Sequence, residues 1–180
     1  HVIIYEDYLC PGCAGRHLSY GPTIDQLADQ GQITVEYRTT YFQDRQGDAS
    51  ARAAMAAAAA DEVGHFKEYH SVLFQNQSQY TQRQLREEFP AQAGIEGEDL
   101  ERFQELYNTR AFRDFVTVSH NAFLEDQIGA TPTFVVDGQR LLFIDEATNE
   151  TLIQPTPESF MAAVLPAFNG EDARTHTPMP

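Results

Sequence analysis

Cys10 and Cys13 are the only cysteines in this chain, and they stand in Cys10-Pro11-Gly12-Cys13 soon after the apolar stretch Val2-Ile3-Ile4-Tyr5. A strand that delivers C-x-x-C to the start of a helix suits two-electron exchange between thiols. An attacking thiolate and a resolving thiol must lie close enough to bond and still be reachable by a partner. Two other chemistries use the same residues. A structural disulfide here would close a very short ring and stabilise by only about 2 kcal/mol in chain-entropy terms. Zinc takes about four ligands, and the two cysteines with His17 supply fewer than that. The spacing favours redox chemistry over both, without excluding either.

The elements that must position this pair follow from periodicity. Val2 to Tyr5 reads as a buried strand. A helix should start near Cys10 and run to about Tyr20, with Gly21-Pro22 kinking or breaking it before Ile24 to Ala28. Ile33, Val35 and Tyr37 alternate with polar residues, the period of a strand. Strand, helix and strand in this order make a βαβ unit with a parallel pair. The middle is helical. Asp48 or Ser50 can cap a helix running through the alanine run to about Phe74, with Val63, Phe66, His70 and Leu73 as its apolar stripe. Further helices are expected over residues 81–89, 98–107 (Leu100, Phe103 and Tyr107 on one face) and 112–127. The alanine run implies tight helix packing.

The period then changes back. Thr133-Phe134-Val135-Val136 and Arg140-Leu141-Leu142-Phe143-Ile144 flank Asp137-Gly138, a type I′ hairpin signal. Thr156-Pro157 offers an N-cap and a proline at the first helical position, with Phe160, Val164 and Phe168 as the buried face. From Asn169 onward a frayed or disordered tail is expected.

Composition narrows the function class. The formal charge of −15 argues against nucleic acid or an anionic membrane as partner. With 42% hydrophobic residues, including 12 Phe and 8 Tyr, the chain can bury a sizeable core. No stretch approaches the roughly 20 apolar residues of a membrane span. The sequence opens almost inside a strand, at His1-Val2, so we expect a longer precursor carrying an export signal or anchor. His65, His70 and His120 lack a metal-ligand pattern and read as structural; no metal site is expected. Acidic runs, such as Asp44 to Asp48 and Glu96 to Glu101, read as solvated surface.

The order βαβ, helical block, ββα is that of a thioredoxin-type sheet with a helical insertion. The chain resembles the DsbA family of thiol–disulfide oxidoreductases, especially its Gram-positive and actinobacterial members. Asp7-Tyr8-Leu9-Cys10-Pro11-Gly12-Cys13 is similar to the family's D-Y-x-C-P-x-C. His65-Phe66-Lys67-Glu68-Tyr69-His70 with Leu73-Phe74-Gln75-Asn76-Gln77 resembles its insertion helix. Gly129-Ala130-Thr131-Pro132-Thr133-Phe134 resembles its G-x-T-P-T-F segment. The likeness implies a thioredoxin-like domain over residues 1–47 and 128–168, a helical domain over 48–127 and a flexible tail over 169–180.

The resemblance assigns roles. Cys10 would be the nucleophilic cysteine at a helix N-terminus, where free N–H groups and the helix dipole favour a thiolate. Such positions can bring a cysteine pKa from about 8.5 to roughly 3.5–7.5. Cys13 would resolve the mixed disulfide. Thr131–Pro132 would be a cis peptide facing the cysteines, and the backbone of Thr131 would pair with an extended substrate segment beside an apolar groove. The expected activity is donation of the Cys10–Cys13 disulfide to reduced or unfolded exported proteins outside the cytoplasm. It would need no cofactor beyond that disulfide, a quinone-linked membrane reoxidase of DsbB or VKOR-like kind, and a monomer. Reductase or isomerase action, or a chaperone-like binding module, are the alternatives.

Three departures qualify the likeness. Pro11-Gly12 stands where the strongest oxidants carry Pro-His, so a less oxidising pair is expected. Ile4 stands where many relatives have a buried acid that assists proton transfer at the second cysteine. Glu6 shares the face of Ile4 but is expected at a different depth; with His17, read mainly as a surface or packing residue, it is a candidate for tuning the pair. Arg16 replaces a commonly aromatic position on the first helix.

Overall fold

The computed structural model describes residues 1–44 and 47–179. Its sheet has five strands side by side in the order β2 (Val35–Thr39), β1 (Val2–Glu6), β3 (Thr133–Val136), β4 (Gln139–Leu141) and β5 (His176–Pro178). β1 (Val2–Glu6) and β2 (Val35–Thr39) are parallel, joined by α1 (Pro11–Asp29). β3 (Thr133–Val136) runs antiparallel to β1, bringing Tyr5 opposite Thr133. Through that register, the segment leading to Cys10 and the Thr131–Pro132 loop meet at one end of the sheet. β3 turns into β4 (Gln139–Leu141) through Asp137 and Gly138, both at positive φ (48° and 74°), as a type I′ turn requires.

α1 continues through Pro22, so the expected kink or break at Gly21-Pro22 is not a break. Tyr20, Ile24 and Leu27 bury one face of this helix in the core. Leu18 and Pro22 lie exposed, so the hydrogen bond that Pro22 cannot donate is lost on the solvent side.

The expected long middle helix is two. α2 (Ala49–Glu62) ends at Val63, and α3 (Phe66–Gln75) begins after Gly64, whose φ of 79° reverses the chain. Asp48 takes the expected N-cap position of α2 but makes no side-chain cap bond; Asp44 instead accepts from the N–H groups of Ser50 and Ala51 at 2.8 and 2.9 Å. Asp44 is therefore more than solvated surface; Arg45 and Gln46 of that acidic run lie outside the described residues. Ala53, Ala54, Ala56, Ala57, Ala59 and Ala60 are all essentially buried, which is the tight packing expected of the run. Within residues 81–92 a π-helical turn (Gln84–Glu88) leads into α4 (Phe89–Gln92). α5 (Gly97–Thr109) buries Phe103, and α6 (Arg113–Glu125) packs beside β2.

α7 (Pro157–Asn169) has its expected cap, with Thr156 Oγ1 accepting from Ser159 N at 3.3 Å. Its buried face is Phe160, Ala163, Val164 and Ala167; Phe168 instead points outward, 56% exposed. The tail expected to fray supplies β5 (His176–Pro178), antiparallel to β4.

Candidate active site

Asp7 builds the approach to the cysteines. It is fully buried, and its carboxylate accepts from Leu9 N at 2.9 Å, Gln43 N at 3.1 Å and the Ser50 hydroxyl. Burial raises its pKa against those bonds. The Ser50 side chain of α2 and the loop at Gln43 are thereby fixed to the segment preceding Cys10, which the Leu9 bond folds on itself. From the other side Gln77 Nε2 donates to the carbonyls of Tyr8 and Cys10, both at 2.9 Å. The insertion thus holds the active-site turn directly. Gln77 belongs to a segment flagged in the sequence, but no local signal assigns it this contact.

Cys10 occupies the N-cap of α1, with Pro11 at the first helical position. Both sulfurs are free thiols. Cys10 retains 6% exposure and Cys13 only 1%. The Cys10 pKa is lowered to about 5, chiefly by a hydrogen bond from the Cys13 thiol, with help from Thr131 and the N–H groups of Cys13 and Gly12, against the opposing effect of burial. The Cys13 pKa is raised, first by burial, then by its bond to Cys10 and the charge of Glu6. One thiol is built to ionise and the other to stay protonated.

The Thr131–Pro132 peptide is cis, and Cys10 Sγ lies 3.3 Å from Thr131 O. The Thr131 hydroxyl is buried and has no hydrogen-bond partner other than the Cys10 sulfur, which it favours as a thiolate. Gly12 sits in the gap: a Cβ there would lie 3.4 Å from Pro132 Cδ and 3.7 Å from Cys10 Sγ. Any side chain at position 12 therefore points between the nucleophile and this loop.

Behind Cys13 lies a cavity of about 10 Å³, bordered by Ile4, Glu6, Cys13, Arg16, His17 and Pro132 among others. That is about the least space a single water needs. Glu6 corrects an expectation: it is as deeply buried as Ile4, at 3% against 2%. Its Oε1 is 2.6 Å from Nε2 of His70, itself 1% exposed. His70 is ringed by Tyr8, His17, Tyr37, Phe66 and Phe74. Sequence reading placed His70 only on an apolar stripe, because its partner is remote in the chain. His17 Nε2 is 3.0 Å from Ser71 Oγ, and burial with the nearby His70 pushes its pKa down to about 3. It packs against His70 and makes no hydrogen bond to either sulfur. A larger cavity, about 480 Å³, lies between β2, α2, α3 and α6, and neither cysteine borders it. Among the described residues no cluster could hold a metal ion, and no helix is long and apolar enough to cross a membrane.

A helix-capping cysteine pair facing a cis-proline loop across a thioredoxin-like sheet is a thiol-exchange site. The Thioredoxin family model matches residues 1–154, and the chain belongs to that family. Its structural neighbours include DsbA from Mycobacterium tuberculosis in its oxidised form, at 28% identity over 74% of this chain and 70% of that one, TM-score 0.62. MdbA, a thiol-disulfide oxidoreductase from Actinomyces oris, matches over 91% and 79% at 20% identity and TM-score 0.69. BdbD from Bacillus subtilis matches over 94% and 87% at 19% identity and TM-score 0.66, a likeness of fold. No curated protein sequence matches. The chain is a thiol–disulfide oxidoreductase of DsbA-like type.

Proposed function

We propose that this protein oxidises thiols of exported proteins, with Cys10 as the exchanging cysteine and Cys13 as its resolving partner. The observation that carries this reading is the split between the two thiols, Cys10 lowered to about 5 and Cys13 raised. A stable Cys10 thiolate is a good leaving group, so its disulfide passes readily to a substrate.

A substrate thiolate attacks Cys10 Sγ, and the Cys10–Cys13 bond breaks with its electron pair going to Cys13. The buried Cys13 then takes a proton. Glu6 and His70 share a hydrogen bond beside it and are the groups placed to supply one, in place of an acid at Ile4. A second substrate thiolate attacks the substrate-side sulfur and displaces Cys10 as a thiolate. The substrate has lost two electrons and the enzyme has gained them. Thr131 O, beside Cys10, is the acceptor an extended substrate segment would use.

Reoxidation falls to a partner, as DsbA-like neighbours imply; a quinone-linked membrane protein of DsbB or VKOR-like kind fits a monomeric donor working outside the cytoplasm. Incubating the oxidised protein with a reduced, unfolded multi-disulfide substrate tests the direction. Recovery of native substrate with stoichiometric loss of the Cys10–Cys13 disulfide is expected, and C10S should abolish it. Faster reduction of a preformed substrate disulfide than its formation would reverse the assignment.

A further inference from the structure

Arg16 is an unusual cation in this molecule. Among the described lysines and arginines, all but Arg16 and Arg140 lie within 4.0 Å of a carboxylate. Arg140 donates to the Ile128 carbonyl at 2.9 Å. Arg16 instead lies between aromatic faces, its Cζ 4.0 Å from the Phe143 centroid and 4.8 Å from that of Tyr20. In a chain of net charge −15, a half-buried arginine without an acidic partner is an observation that needs a cause.

Its place supplies one. Arg16 follows Cys13 by one helical turn, and side chains on a helix lean toward its N-terminus, here toward the cysteines. It borders the same small cavity as Cys13 and Pro132. Phe143 beneath it packs on Phe134, 4.8 Å between centroids, just after the cis-proline loop. The aromatic faces fix the plane of the guanidinium; one edge donor reaches the Tyr20 hydroxyl, and the others form a fork matched to a carboxylate. Glu6 borders the same cavity, but its Oε1 is held 2.6 Å from His70 Nε2 and makes no ion pair with Arg16.

We infer that Arg16 is a specificity-determining residue, recognising substrate segments that carry a carboxylate side chain close to the reactive cysteine. This rests on the exchange chemistry above and names a substrate class for the same site. Arg16 forms and breaks no covalent bond; it holds the segment whose thiolate attacks Cys10.

The test compares single-cysteine peptides differing only in Glu, Gln or Lys two residues from the cysteine. Rates of mixed-disulfide formation with oxidised protein are read by acid quench and mass spectrometry. The wild type should prefer Glu over Gln by about five- to tenfold, the scale of one partly exposed charge-assisted pair, and Lys should be slowest. The preference should shrink as salt is raised, a reading that needs no variant. In R16M the Glu to Gln ratio should fall to about one, and R16K should keep part of it. Equal wild-type rates for Glu and Gln, or a ratio that survives R16M, overturn the inference while leaving thiol exchange intact. No reaction with any peptide overturns both.

Discussion

Cys10 Sγ and the carbonyl oxygen of Thr131 lie 3.3 Å apart across the mouth of the site, and the Thr131 hydroxyl is buried beside them without another partner. The carbonyl can accept from the protonated thiol, whereas a bond donated by the hydroxyl is stronger to the thiolate and favours it. T131V removes that donor and keeps the shape. The Cys10 pKa should rise above its value of about 5, read by thiolate absorbance against pH, and an unchanged value would remove Thr131 from the account.

Gly12 leaves the gap between Cys10 and Pro132 unfilled. G12H places an imidazole there, and its cationic form adds a charge favouring the thiolate. The Cys10 pKa should fall, and the pair should become more oxidising by about 30 mV for each tenfold gain in exchange equilibrium. A potential that stays put or moves the other way would show that this gap does not control the thiolate.

Glu6 and His70 predict a kinetic signature at Cys13. E6Q and H70Q should each slow disulfide reduction by roughly 10²-fold, the lower end of general acid–base contributions, and flatten its dependence on pH. Circular dichroism at the assay temperature checks folding, since breaking a buried pair costs about 3–5 kcal/mol. Folded variants with wild-type rates and pH profile would make the pair purely structural.

His17 makes stability depend on pH in a stated direction. Its folded pKa is about 3, below the ordinary 6.5, so between these values the unfolded chain binds the extra proton. Stability is fullest above about pH 6.5 and falls as pH drops toward 3. Thermal melts of the oxidised protein, in which neither cysteine titrates, should show this loss, and H17Q should show less of it. Equal pH dependence in the two would assign the loss elsewhere.

Much of this was legible locally. The C-x-x-C at a strand-to-helix junction, the strand Thr133 to Val136, the Asp137-Gly138 turn and the Thr156-Pro157 cap each follow from short-range chemistry and appear where expected. What failed depended on distant partners. Pro22 remains in α1 because Ile24 and Leu27 hold the helix on the sheet. The tail joins β4 through backbone pairing, for which side chains give little warning. Glu6 looked misplaced as an acid because His70, far along the chain, could not be seen to meet it. Gln77 reaches the Cys10 carbonyl across a similar separation.

The lowered Cys10 and raised Cys13 suit this pair to the proposed role of disulfide donor. Equilibrating the protein in glutathione buffers and counting free thiols gives its reduction potential directly. A disulfide donor should show a value above about −200 mV, in the range of protein disulfide isomerase or more oxidising. A value near thioredoxin's roughly −270 mV would contradict it and make the protein a reductant.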